Sequence, residues 1–130
     1  MFVSIYERKM PDAKYNNKTF FSAFGYARNG LLVLFRERNV PVYIIIACCA
    51  VIAGFVLKIS AVEWIAIVLA IGLVFAAEAF NTALEKLADH VSTEKNKLIG
   101  AAKDLAAAGV LIIAIIAIAV GLIIFIPKVF

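Results

Sequence analysis

Residues 77–89 read AEAFNTALEKLAD and close an apolar run that begins at Trp64. Four polar side chains fall in this stretch: Glu78, Asn81, Glu85 and Asp89. On a helix turning about 100° per residue, Asn81, Glu85 and Asp89 lie at about 300°, 340° and 20° relative to Glu78, so all four share one narrow stripe. Lys86 lies off it. An apolar helix with a line of acids at one end suits a membrane span whose stripe descends from hydrocarbon into water. A charge within hydrocarbon costs on the order of 3 kcal/mol even on lenient insertion scales, so such groups usually face a protein interior, a cavity or a ligand.

The composition agrees with a bilayer setting. The chain has 130 residues, 65% of them hydrophobic, and a mean hydropathy of +1.00. A soluble fold this short has too little interior for that much apolar surface. Three uncharged or nearly uncharged runs stand out: 39–57, 64–77 (mostly apolar as far as Leu84) and 105–127. A span needs about 20 residues, so the third run suffices alone and the first is marginal. The second becomes long enough only by taking in Glu78 and Asn81.

The expected fold is therefore an all-α membrane protein with three transmembrane helices, at about 41–57, 62–86 and 105–126. Residues 1–18 form a polar N-terminal tail without the apolar core of a signal peptide. Residues 19–130 form a single domain. Within it, about 19–36 spaces Phe20, Phe24, Ala27 and Leu31 along one side of an amphipathic surface helix, interrupted by Gly25 and Gly30. Pro41 falls at the start of the first span, where proline is tolerated. Trp64 suits an aromatic belt at the outer interface.

Charge placement sets the orientation. Of the 13 Lys and Arg residues, seven precede the first span, one (Lys58) follows it, four lie between the second and third spans, and Lys128 comes last. The positive-inside rule puts the N-terminus and the second loop, read as His90 to Gly100, in the cytoplasm. The net charge of +4 is thus a topology signal, and no nucleic-acid partner is expected. The third span is rich in small residues, Ala106 to Gly109 and then Ala114, Ala117, Ala119 and Gly121, which let helices approach closely in lipid. Three helices make a thin bundle, which favours a homo-oligomer. Cys48 and Cys49, adjacent in the first span, read as small packing residues.

Glu78 lies about 8 Å inside the cytoplasmic boundary if the second span enters at Trp64. Glu85 then sits at headgroup level and Asp89 in water. A divalent cation would relieve repulsion between Glu78 and Glu85, and Mg²⁺ typically takes one or two carboxylates plus phosphate oxygens. Lys103 suits a phosphate; Asp104 suits a ribose hydroxyl or a helix cap. No G-x-x-x-x-G-K-[ST], G-x-G-x-x-G or H-R-D segment occurs, so no soluble nucleotide-binding domain is indicated.

The string E-A-F-N-T-A-L-E-K-L-A-D (Glu78 to Asp89), followed by K-D-L-A-A-A-G-V-L-I (Lys103 to Ile112), resembles the prokaryotic diacylglycerol kinase family of small integral-membrane lipid kinases. The likeness covers about residues 19–127. It implies a homotrimer of three-span subunits with an N-terminal surface helix in the bacterial cytoplasmic (inner) membrane. The implied reaction moves the γ-phosphoryl group of ATP, with Mg²⁺, to the hydroxyl of a membrane lipid alcohol, diacylglycerol or undecaprenol. By position, Glu78 matches the general base and, with Ala107, the lipid substrate site. Asn81 matches a residue near the catalytic centre, and Glu85 and Glu37 the metal ligands. Tyr26, Glu37, Glu85, Asp89, Glu94, Asn96, Lys103 and Asp104 match nucleotide contacts. The stretch from Gly30 to Glu37 is one residue shorter than the family pattern, which bears on Tyr26 and Glu37. The alternative from another class is an ion- or proton-translocating subunit using Glu78 alone.

Overall fold

The computed structural model describes residues 20–91 and 96–130, with side chains from Ala23 onward. The tail over 1–18 and Glu94 lie outside the described residues. Four helices occur and no strand is present among the described residues: α1 (Phe20–Leu34), α2 (Val40–Val56), α3 (Ala61–Val91) and α4 (Lys97–Val129). Two compact units divide between Leu31 and Leu32.

The helix ends follow from local chemistry. Asn39 stands at the start of α2 with Pro41 in the first turn, where a missing N–H costs nothing. Lys58, at φ 50°, takes the left-handed backbone that reverses the chain between α2 and α3. Ser60 and Glu63 then form a reciprocal capping box. The Ser60 N–H donates to Glu63 Oε2 at 2.6 Å, and the Glu63 N–H to Ser60 Oγ at 3.3 Å. At the other connection, Asn96 Oδ1 accepts from the N–H groups of Leu98 and Ile99 at 2.9 and 3.4 Å and so starts α4.

This last cap corrects the expected loop. Helix runs to Val91 and resumes at Lys97, so a connection expected to extend to Gly100 is shorter. Asp104 does not cap α4; it lies about two turns inside it.

Helices α3 and α4 are long and apolar enough to cross a membrane, with 31 and 33 residues; α2 is apolar and shorter, with 17. At about 1.5 Å per residue, the two long helices reach about 46 and 50 Å, beyond a hydrocarbon core of about 30 Å. Within the second unit α3 packs mainly on α4, with α2 against both. The buried cluster is Ile59, Ile67 and Ile124, flanked by Leu57, Trp64 and Phe125. Trp64 therefore packs inward as well as standing at a span end. Its ring lies 4.8 Å from that of Phe55, and a Cβ on Gly54 would come within 2.8 Å of it. Lys128 Nζ reaches Glu63 Oε1 at 3.3 Å and ties the end of α4 to the start of α3.

Most of the apolar surface of α2, α3 and α4 is exposed in the single chain. Cys48 and Cys49 are free and, in the single chain, exposed. The small residues of α4 line a cavity: Ala114, Ala117 and Gly121 face Ala47, Ala50 and Ala53 of α2 across about 530 Å³ of almost wholly apolar space. Tyr43 and Phe75 belong to the same lining.

Candidate active site

The stripe that began on α3 is where the second unit buries polar groups. Glu78 is 4% exposed and Thr82 5%. Asn81 and Glu85 are half-buried, whereas Asp89 is exposed near the helix end. Exposure thus rises along this face from Glu78 to Asp89. Thr82 was not singled out in the sequence. Its position, about 40° from Glu78, was the available signal.

One polar neighbour, Asn39 at the start of α2, eases the burial of Glu78, whereas its acidic neighbours repel it. The Asn39 side chain is a hydrogen-bond partner of its carboxylate, and the charges of Glu85 and Glu37 both act on it. Tyr43, one turn beyond Asn39, lies close enough to feel its charge. Asn81 Nδ2 donates to Glu85 Oε1 at 3.1 Å across one helical turn. That bond turns the Asn81 carbonyl the other way, and its buried Oδ1 has no hydrogen-bond partner. An unpaired buried carbonyl costs about 1–3 kcal/mol, so a donor or cation at that point would be favoured.

Glu37 lies in the turn between α1 and α2, not on α1. Its carboxylate accepts from Lys86 Nζ at 2.7 Å, a pair 49 residues apart in sequence. Lys86 was read as off the stripe; it is off the stripe and reaches α2's leading turn instead.

Lys103 donates to Asp89 Oδ1 and so joins the end of α3 to the start of α4. The bond to Asp89 leads the causes that raise the pKa of Lys103 above the ordinary lysine value. Asp104 and Ala107 are exposed on α4 and are not brought against the stripe in the single chain. Asn96 is engaged as the helix cap. Tyr26 belongs to the first unit, where it is exposed.

The donors present decide which metal fits. No group of three His, Cys, Asp or Glu side chains converges among the described residues. What the site offers is hard oxygen: the carboxylates of Glu85 and Glu37 and the unpartnered Asn81 Oδ1. That set fits Mg²⁺ shared with phosphate oxygens, not a cage made by protein alone.

The comparisons bear on what such a site does. The family model for prokaryotic diacylglycerol kinase matches residues 25–125. An undecaprenol kinase of Bacillus subtilis (strain 168) is 40% identical over 110 residues, covering 84% of this chain and 89% of that protein. A diacylglycerol kinase of Escherichia coli (strain K12) is 32% identical over 113 residues, with 79% and 88% covered. A diacylglycerol kinase of Helicobacter pylori (strain J99) is 30% identical over 106 residues, with 80% and 82% covered. With its acidic stripe lying inside the matched region, the chain belongs to the prokaryotic diacylglycerol kinase family and is a lipid kinase.

Proposed function

We propose that the protein phosphorylates the hydroxyl of a membrane lipid alcohol with ATP and Mg²⁺, and that undecaprenol is its acceptor. The observation that carries the reading is Glu78: a carboxylate 4% exposed in an apolar helix, with Glu85 and Asn81 on the same stripe toward solvent. The preference for undecaprenol rests on the greater identity to the Bacillus undecaprenol kinase, 40% against 32% for the Escherichia coli diacylglycerol kinase.

Phosphoryl transfer asks the protein mainly for positioning and charge neutralisation. The lipid hydroxyl meets Glu78, which accepts its proton as the oxygen bonds to the γ-phosphorus. The bond from that phosphorus to the bridging oxygen breaks, and ADP leaves. Glu85 and Glu37 would hold Mg²⁺, which neutralises charge developing on the phosphate oxygens when bound with ATP. Lys103 binds phosphate, Asp104 takes the ribose side, and Asp89 holds Lys103 extended. The apolar cavity between α2, α3 and α4, which reaches Tyr43 beside Glu78, receives part of the lipid chain.

The exposed apolar faces of α2, α3 and α4 support three spans and a homotrimer, in which the lipid and neighbouring subunits cover what one chain leaves bare. The setting is the bacterial cytoplasmic membrane, with the α3–α4 connection on the cytoplasmic side, where ATP is. The test is ATP- and Mg²⁺-dependent transfer of labelled phosphate in mixed micelles, offering undecaprenol and diacylglycerol separately. Undecaprenyl phosphate as the dominant product supports the whole reading; phosphatidic acid overturns the acceptor, and no product from either overturns the kinase.

A further inference from the structure

Among the described residues, Lys86 is a cation held against one of the proposed metal ligands, Glu37. Its ammonium lies 2.7 Å from Glu37 Oε1, with the two side chains 39% and 25% exposed, so the pair is only partly in water. Lys86 directly follows Glu85. One turn of α3 therefore presents one proposed metal ligand and supplies the cation that holds the other.

We propose that Lys86 is a positioning residue acting through Glu37: it is that carboxylate's resident counter-ion and competes with the divalent cation for it. The inference rests on the reading above that Glu37 and Glu85 hold the metal. A carboxylate already accepting from an ammonium offers less negative potential to a dication, and a dication placed there would stand beside a like charge. Metal alone therefore meets an occupied ligand. ATP changes the balance, because its phosphate oxygens accept charge-assisted hydrogen bonds from an ammonium and give Lys86 another partner. With Lys86 drawn to the phosphates, Glu37 would be free to hold the metal that accompanies the nucleotide.

The experiment is Mn²⁺ binding to the purified full-length protein in micelles without nucleotide, read as free Mn²⁺ by electron paramagnetic resonance. Lys86→Met should bind Mn²⁺ about fivefold tighter than the wild type, the factor that matches about 1 kcal/mol for a partly exposed pair. Lys86→Arg should stay near the wild type, and adding Glu37→Gln to Lys86→Met should remove the gain. Should Lys86→Met fail to fold, Glu37→Gln alone still decides: with Glu37 held by Lys86, its nucleotide-free Mn²⁺ affinity should change less than twofold. Unchanged, weaker or undetectable binding in folded Lys86→Met, or a large loss in Glu37→Gln, overturns the proposal. Labelled-phosphate transfer by the wild type, measured separately, reports on the kinase reading and does not depend on these affinities.

Discussion

Asn81 Nδ2 donates to Glu85 Oε1 at 3.1 Å, and the same bond leaves Asn81 Oδ1 buried without a partner. A position that keeps an unsatisfied carbonyl gives up stability for something the site needs. Asn81→Leu removes the orphaned oxygen while keeping similar bulk. We expect thermal unfolding in micelles to be unchanged or raised by a few degrees, while kcat falls at least about tenfold, a loss of roughly 1.4 kcal/mol in transition-state stabilisation. A variant that keeps full activity contradicts a role for Asn81 at the centre.

The cavity between α2, α3 and α4 makes a prediction about the lipid and not the nucleotide. Ala117 is half-buried on its wall. Ala117→Phe fills part of the space that the lipid chain takes. The KM for lipid should rise several-fold, while that for ATP stays within about twofold, since the change leaves the polar stripe untouched. Equal use of lipid by the variant would place the chain elsewhere.

At the far end of α2, a Cβ on Gly54 would meet the Trp64 ring at 2.8 and 2.9 Å and Ile59 at 3.1 Å. An indole held by Phe55 and the buried isoleucine cluster gives way poorly. Gly54→Ala should destabilise by about 1–3 kcal/mol, the usual range for overpacking. Pairing it with Trp64→Leu should restore part of the loss. Calorimetry in micelles checks both, and the KM for ATP should not change, because Gly54 lies about 22 Å along α2 from Asn39.

Lys103 gives a pH prediction. The hydrogen bond to Asp89 leads the causes that raise its pKa, so the ammonium stays protonated across the working range. A raised folded-state pKa means that its stabilising contribution is complete below the unfolded value of about 10.4 and is lost only as pH rises through the folded value. ATP affinity should therefore show no Lys103-dependent loss between about pH 7 and 9.5. Lys103→Met should raise the KM for ATP about tenfold or more at every pH in that window, measured by initial rates. A titration step in the wild type near pH 8, missing in Lys103→Met, contradicts this assignment.

Much of the architecture was legible because it is periodic. The stripe through Glu78 and Glu85 needed only the helical repeat and the cost of charge in hydrocarbon. The capping signals were legible too, yet the start of α4 was placed too late. Asn96 carries the cap, and the polar turn Lys97 to Gly100 was taken for loop because apolarity, not capping, drew the boundary. What the sequence did not disclose is pairing across long separations. Nothing local connects Lys86 with Glu37, or Asn39 and Tyr43 with Glu78, because these contacts exist only once α2 lies against α3. Lys103 and Asp89 were each singled out, but their bond depends on the hairpin between α3 and α4.

The most direct measurement is phosphate transfer from labelled ATP to undecaprenol by Glu78→Gln beside the wild type, with ATP binding followed in both. Glutamine keeps the size and hydrogen-bonding capacity of the buried side chain and removes its ability to take a proton at neutral pH. Transfer should fall by at least about a hundredfold while the protein stays folded and ATP binds as before. Transfer by Glu78→Gln at the wild-type rate would contradict Glu78 as the base that receives the lipid's proton.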